Sequence, residues 1–269
     1  MVGAMYGDIL GSYYELRCTK NYNFDMFQQH AMFTDDSVLT AAVCEAILEN
    51  GAEIGSFGVR RRALEYAAQY RKYYSRYPGA GYGNMFSEWA RNFSARAVRS
   101  YGNGAAMRAI PIGYAYKDIN QIKLQVRASC LMTHRNREAI RAAVAVAVAV
   151  RLGLDGAEKN EIKTTIEKLF GYDLSAKLDD IREKYVFDSR AGYSVPPSII
   201  AFLESDDYES AVRLAISLGG DADTMACIAG GIAEAYYREI PENIRSFCHS
   251  RLDLPLRKTA EAFEKKYGF

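Results

Sequence analysis

The chain has 269 residues, 49% of them hydrophobic and 25% charged, with a formal net charge of +1. That is an ordinary soluble composition, long enough for a substantial core in one large domain or two modest ones. A charge this close to zero gives no global field to draw in nucleic acid or a membrane surface, and no run of about 18 apolar residues marks a membrane span.

The opening segment, MVGAMYGDIL, has no basic flank and holds Asp8 inside its apolar run, which does not suit a signal peptide. The five cysteines are Cys18, Cys44, Cys130, Cys227 and Cys248; they are odd in number and include no Cys-x-x-Cys pair. This argues against a disulfide framework or a zinc ribbon. Most lie among Ala, Val, Ile and Leu and are expected to be small buried hydrophobes, in a reducing cytoplasm. In YGDILGSYYE (6–15), Asp8, Gly11 and Glu15 fall near one side of a helix or at its end. Gly7 and Gly11 leave room for another element to pack closely.

After Thr34, DDSVLTAAVCEAILEN puts Val38, Ala42, Val43, Ala46 and Ile47 at helical spacing, with Gly51 as a stop. Thr34 is the expected N-cap, with Asp35 and Asp36 in the first turn, where the helix dipole favours acid. Residues 58–77 predict another helix, whose Arg60, Arg61 and Arg62 read as a solvated face rather than a nucleic-acid contact. YPGAGYGN (77–84) is a loop.

In SYGNGAAMR (100–108), Gly102 and Gly104 would let the backbone pass close to a ligand. A helix from Ala105 would offer free N–H groups to an anion; the alternative is a simple turn. His134 falls at what reads as a helix start, as a cap, a surface residue or a hydrogen-bond partner for a phosphate or ribose oxygen. AAVAVAVAV (142–150) alternates as a strand would, but alanine's helix propensity and the preceding NREAIR predict a helix. Being apolar all round, it should be buried. Further helices are expected at 157–170, 196–204, 207–218, 224–237 and 255–266. Few convincing strands remain, and no linker or repeat is visible, so the sequence predicts one compact all-α domain over 1–269.

Two acidic clusters carry the chemistry. FTDDS (33–37) places two carboxylates and a hydroxyl at a helix opening, and GGDADT (219–224) places Asp221 and Asp223 one residue apart before another apolar helix. Capping alone would explain Thr34 and Asp35, but both clusters together hold more acid than capping needs. Hard cations such as Mg²⁺ or Mn²⁺ take carboxylate, hydroxyl and water ligands, and two such clusters brought together could hold two of them. Glu15 is either a surface acid or a catalytic carboxylate.

In this order, YGDILGSYYE, FTDDS, SYGNGAAMR, THRNREA and GGDADTMACIAGGI resemble the ADP-ribosylglycohydrolase family, which includes the dinitrogenase reductase-activating glycohydrolase and the ADP-ribosyl-acceptor hydrolases. The resemblance runs from residue 6 to about 232. It implies a compact helical fold with two Mg²⁺ or Mn²⁺ ions in a central cleft, ligated by Thr34, Asp35, Asp36, Asp221, Asp223 and Thr224, with Asp223 bridging. It implies that Glu15 faces the scissile bond as a catalytic group beside Asp36 and Asp223. Ser100, Tyr101, Gly102, Asn103 and Gly104 match the loop around the diphosphate and adenosine, and His134 a phosphate-side contact. SVPPSIIAF (194–202) resembles a segment near the cleft. The stretch between Glu15 and Thr34 is short, at the place where members differ in the flap over the site.

The reaction implied is hydrolysis of the glycosidic bond between ADP-ribose and an acceptor, with free ADP-ribose as product. The acceptor could be a protein side chain, a nucleobase or a small molecule. Two rivals remain: another two-metal phosphate or nucleotide hydrolase, and an inactive ADP-ribose-binding protein of the same fold.

Overall fold

A computed structural model describes residues 1–268. Fourteen α-helices follow in order: α1 Val2–Ser12, α2 Asp35–Glu49, α3 Val59–Arg76, α4 Asn84–Arg91, α5 Ile110–Ala115, α6 Ile119–Cys130, α7 Arg137–Leu154, α8 Lys159–Phe170, α9 Leu178–Arg182, α10 Ala191–Glu204, α11 Tyr208–Ile216, α12 Ala222–Tyr237, α13 Glu242–His249 and α14 Leu254–Tyr267. Among the described residues there is no strand, only two isolated bridges, Arg99 with His134 and Gly102 with Arg190. The all-α expectation holds.

The centre is α12, buried from Ala222 to Ala235 and packed by α1, α7, α10 and α11. Its seam with α1 is closed by small residues. A Cβ on Gly7 would stand 2.1 Å from the Ala226 carbonyl oxygen, and one on Gly11 2.5 Å from that of Ala222. Only a hydrogen fits at either position. This is the close packing that the two glycines foreshadow, and it draws Asp8 on α1 towards Asp223 on α12.

The alternating run 142–150 lies inside α7 and is buried throughout. Period two fails as a strand signal here because alanine and valine are both apolar, so no solvated face is being marked. Asn136 caps this helix, its side chain accepting from the Glu138 and Ala139 amides.

Two expectations are corrected in detail. No regular helix starts at Ala105: residues 103–105 and 107–109 form 3₁₀ turns, and α5 begins at Ile110. Helix α10 begins at Ala191, five residues before its predicted start, with Pro196 and Pro197 inside it. A proline leaves the carbonyl four residues back without its donor. For Pro197 that carbonyl belongs to Tyr193, and the Tyr185 hydroxyl donates to it at 3.4 Å. Four cysteines are buried, as expected, and Cys18 is exposed. No helix among the described residues is long and apolar enough to cross a membrane.

Candidate active site

One cleft of about 410 Å³ is lined by both aspartate clusters, Glu15, the 100–104 loop and His134. Every site residue expected from the sequence lines it. The N-terminal ends of α2 and α12 meet at its floor. Thr34 is the N-cap of α2, its hydroxyl accepting from the Asp36 amide. Asp221 stands at the N-cap position of α12 but makes no capping bond with its side chain. It accepts instead from the Asn103 side-chain amide at 2.8 Å. So capping explains Thr34 and does not explain Asp221.

The two clusters touch. Thr224 Oγ1 donates to Asp36 Oδ2 at 3.1 Å, joining α12 to α2. Asp36, Asp221, Asp223 and Thr224 are buried, and Asp35 is partly open to the cleft. Carboxylate oxygens of Asp8, Asp36 and Asp223 lie within 4.8 Å of one another, and so do those of Glu15, Asp221 and Asp223. Asp223 belongs to both groups.

Among the described residues, no lysine or arginine forms an ion pair with any of these acids. Two unit charges 4 Å apart repel by about 4 kcal/mol at an effective dielectric of 20. Each helix N-terminus offsets only about half a charge. The carboxyls therefore hold their protons tightly. Burial, then Asp8 and Asp221, push Asp35 up to about 8. Burial raises Asp36 well above the usual range, with Asp8 and Asp35 adding to it. Asp223 is raised likewise by burial and then Asp221, and Glu15 by burial and then Asp221.

The donor set fits hard cations. Asp36 Oδ1 is buried and has no hydrogen-bond partner, an oxygen that costs free energy unless something positive meets it. Carboxylates and threonine hydroxyls are the ligands Mg²⁺ and Mn²⁺ take.

Asp8 is a residue that the sequence placed on one side of a helix with Glu15 but did not assign to the site. It is fully buried, and its carboxylate accepts from the Thr34 amide (2.9 Å), the Thr34 hydroxyl (2.7 Å), the Ser37 amide (3.0 Å) and the Ser37 hydroxyl. Three of these four donors meet Oδ2 and one meets Oδ1, so Asp8 ties Thr34 and Ser37 together and braces the first turn of α2. The signal was present: Asp8 is the one charged residue in α1.

At the other end, Tyr101 is exposed at the rim, while Ser100, Asn103 and His134 are buried. The Gly102 amide donates to Ser100 Oγ at 3.1 Å and the Asn103 amide to the Ser189 carbonyl at 2.8 Å. Those two N–H groups are thus already satisfied, which narrows the expected anion cradle. His134 is neither cap nor surface residue; it lies two positions before the cap of α7, with its amide on the Cys130 carbonyl at 2.7 Å. The segment 194–202 does reach the cleft region, since Ser194 Oγ accepts from Asn103.

Fold and cleft define an all-helical protein with a buried, carboxylate-rich site of the kind that suits divalent cations. The ADP-ribosylglycohydrolase family model matches residues 1–267, and the chain belongs to that family. It is similar to the human ADP-ribosylhydrolase ARH3, 27% identical with 98% of this chain and 93% of the relative covered. The bovine ADP-ribosylhydrolase ARH3 is 26% identical, with 98% and 92% covered. The human alignment spans 344 positions against 269 residues here, so that relative carries segments this chain lacks. A solved structure titled an ADP-ribosylglycohydrolase-related protein complex superposes with a TM-score of 0.67 at 25% identity, covering 100% of this chain and 96% of that one.

Proposed function

We propose that this protein hydrolyses the glycosidic bond between ADP-ribose and an acceptor, releasing ADP-ribose, with two Mg²⁺ or Mn²⁺ ions. The observation that carries the reading is the set of buried carboxylates without a counter-charge, sharing a cleft with a glycine loop and His134. Thr34, Asp35, Asp36, Asp221, Asp223 and Thr224 would hold the ions, with Asp223 shared between them. Bound there, the ions supply Lewis acidity and fixed positive charge beside the ribose hydroxyls. Asp8 keeps Thr34 and the first turn of α2 in place for that task.

Glu15 would face the reacting carbon, where cationic character builds on the ribose, and would take a proton from the attacking water or stabilise that charge. Burial and then Asp221 raise its proton affinity, the direction that helps a carboxylate accept a proton. The 100–104 loop would hold the diphosphate and adenosine, using remote binding to align the reacting carbon. Asn103 ties that loop to Asp221, so both ends of the ligand register against one scaffold.

The test is a hydrolysis panel of ADP-ribosyl-arginine, -serine and -nucleobase with Mg²⁺ or Mn²⁺, with products read by mass. Free ADP-ribose is the expected product from at least one. AMP with ribose phosphate would overturn the reading in favour of diphosphate cleavage.

A further inference from the structure

The guanidinium of Arg108 is fully buried, and no described acid pairs with it. Its carbon lies 4.3 Å from the Tyr70 ring centroid, which offsets part of the charge. Nη2 donates to Thr133 Oγ1 at 2.7 Å and lies 3.4 Å from His134 Nδ1. Thr133 Oγ1 is in turn 3.0 Å from His134 Nδ1. On the far side of the ring, Nε2 faces the glycine loop, 3.3 Å from where a Cβ on Gly104 would stand and 3.9 Å from that of Gly102. Arg108, Thr133 and His134 all line the cleft.

An arginine only donates, and a threonine hydroxyl that accepts from it still has one proton to give. His134 Nδ1 is the acceptor in reach of that proton. Nδ1 must then present its lone pair, and the ring proton sits on the opposite nitrogen. Reversing the order would aim an Nδ1 proton at a cation 3.4 Å away and strand the hydroxyl proton in a buried site.

We propose that Arg108 is a positioning residue: through Thr133 it locks the His134 ring proton on Nε2, so that the glycine loop faces one fixed donor for a phosphate or ribose oxygen. Burial and the Arg108 charge both depress proton affinity at His134, which keeps the ring from taking a second proton and swivelling. The identity of the ligand rests on the functional reading above; the proton's location does not.

Long-range ¹H–¹⁵N correlation on ligand-free protein reads the tautomer directly, and the chain has only three histidines to assign. Wild type should show a protonated Nε2 and a bare Nδ1. Arg108→Met removes the cation and frees Thr133 to accept, so Nδ1–H should appear. Thr133→Val deletes the relay with little change of shape and leaves only Arg108 Nη2, 3.4 Å from Nδ1, to hold the tautomer; it keeps the test alive should Arg108→Met fail to fold, and a measurable share of Nδ1–H should appear. Both variants should bind ADP-ribose about tenfold more weakly by calorimetry, the scale of one hydrogen bond. An Nδ1–H ring in wild type, or an unchanged tautomer in both folded variants, would overturn the proposal. If wild type carries Nε2–H and does not bind ADP-ribose, the functional reading falls and the relay stands.

Discussion

The two ends of the cleft are built on opposite electrostatic plans. At the floor, Asp35, Asp36, Asp221, Asp223 and Glu15 crowd together with no basic partner among the described residues. At the loop end, a buried arginine stands behind His134 with no acidic partner among the described residues. Each end is unbalanced alone. One calls for cations and the other for an anion or a polar oxygen. A ligand with a metal-binding diol at one end and phosphates further along can enter such a cleft in one direction only. For the proposed ligand, orientation would then be set by the charge layout of the protein before any contact at the reacting carbon is made.

That comparison can be broken at the acidic end first. Asp223 belongs to both carboxylate groups, so Asp223→Ala should have the largest effect. Metal affinity measured by calorimetry should fall more than about 100-fold, beyond what loss of an outer-shell partner typically costs, and turnover should fall with it. Unaltered metal binding would overturn the bridging role proposed for Asp223. Glu15→Gln is the sharper companion. Turnover in single-turnover hydrolysis should fall by about 10²–10⁴-fold, as for a lost acid–base group, with ADP-ribose binding kept. The carboxylate of Glu15 lies within 4.8 Å of those of Asp221 and Asp223, so metal affinity is measured on the same protein. A fall in metal affinity parallel to the rate would make Glu15 a ligand.

The loop end should respond differently. A Cβ at Gly102 would stand 3.3 Å from Ser100 Oγ and 3.9 Å from His134 Nε2. In Gly102→Val the two further methyls enter that gap, and an overpacking cost of ~1–3 kcal/mol carried into binding corresponds to a loss of about 5- to 100-fold in ADP-ribose affinity. Metal binding should stay as it was. If both functions decline together, the two ends are not separable.

The smallest effect is a pH dependence. Asp35 is raised from 3.8 to about 8 in the folded protein. The folded state therefore binds that proton more tightly than the unfolded chain does. Its contribution to stability is fully present below about pH 3.8 and is lost as pH rises through about 8. A divalent ion bound by the proposed ligands would take the place of that proton. The gap in Tm between Mg²⁺-loaded and chelator-treated protein should therefore widen from pH 4 to pH 8, by a few degrees, and then level off. A gap that does not change with pH would mean the titrating acids are not the ligands.

Much of this was legible in the sequence because the chemistry sits in short runs. FTDDS and GGDADT each hold several oxygen donors within a few residues, and each opens a helix, so side-chain type and presentation could be read together. Asp8 and Arg108 could not be read that way. Each is a lone charge among apolar neighbours, and each has its partners more than twenty residues away, at Thr34 and Ser37 for one and at Thr133 and His134 for the other. Local pattern carries no information about such pairs. The early start of α10 was hidden for a related reason. Pro196 and Pro197 read as a helix opening, whereas both lie inside the helix, where the Tyr185 hydroxyl meets the carbonyl that Pro197 leaves without its donor.

The glycine seam between α1 and α12 has a consequence for the tolerances of the site. Asp8 follows Gly7, and Asp223 follows Ala222, whose carbonyl meets Gly11. The hidden side of the two helices therefore works as a gauge block for the carboxylates in front. Metal–ligand distances hold to about 0.2 Å. A Cβ at Gly7 would stand 2.1 Å from a backbone oxygen and would force the helices apart by more than that. One methyl group, placed where no ligand or solvent reaches, is enough to put the acids out of calibration.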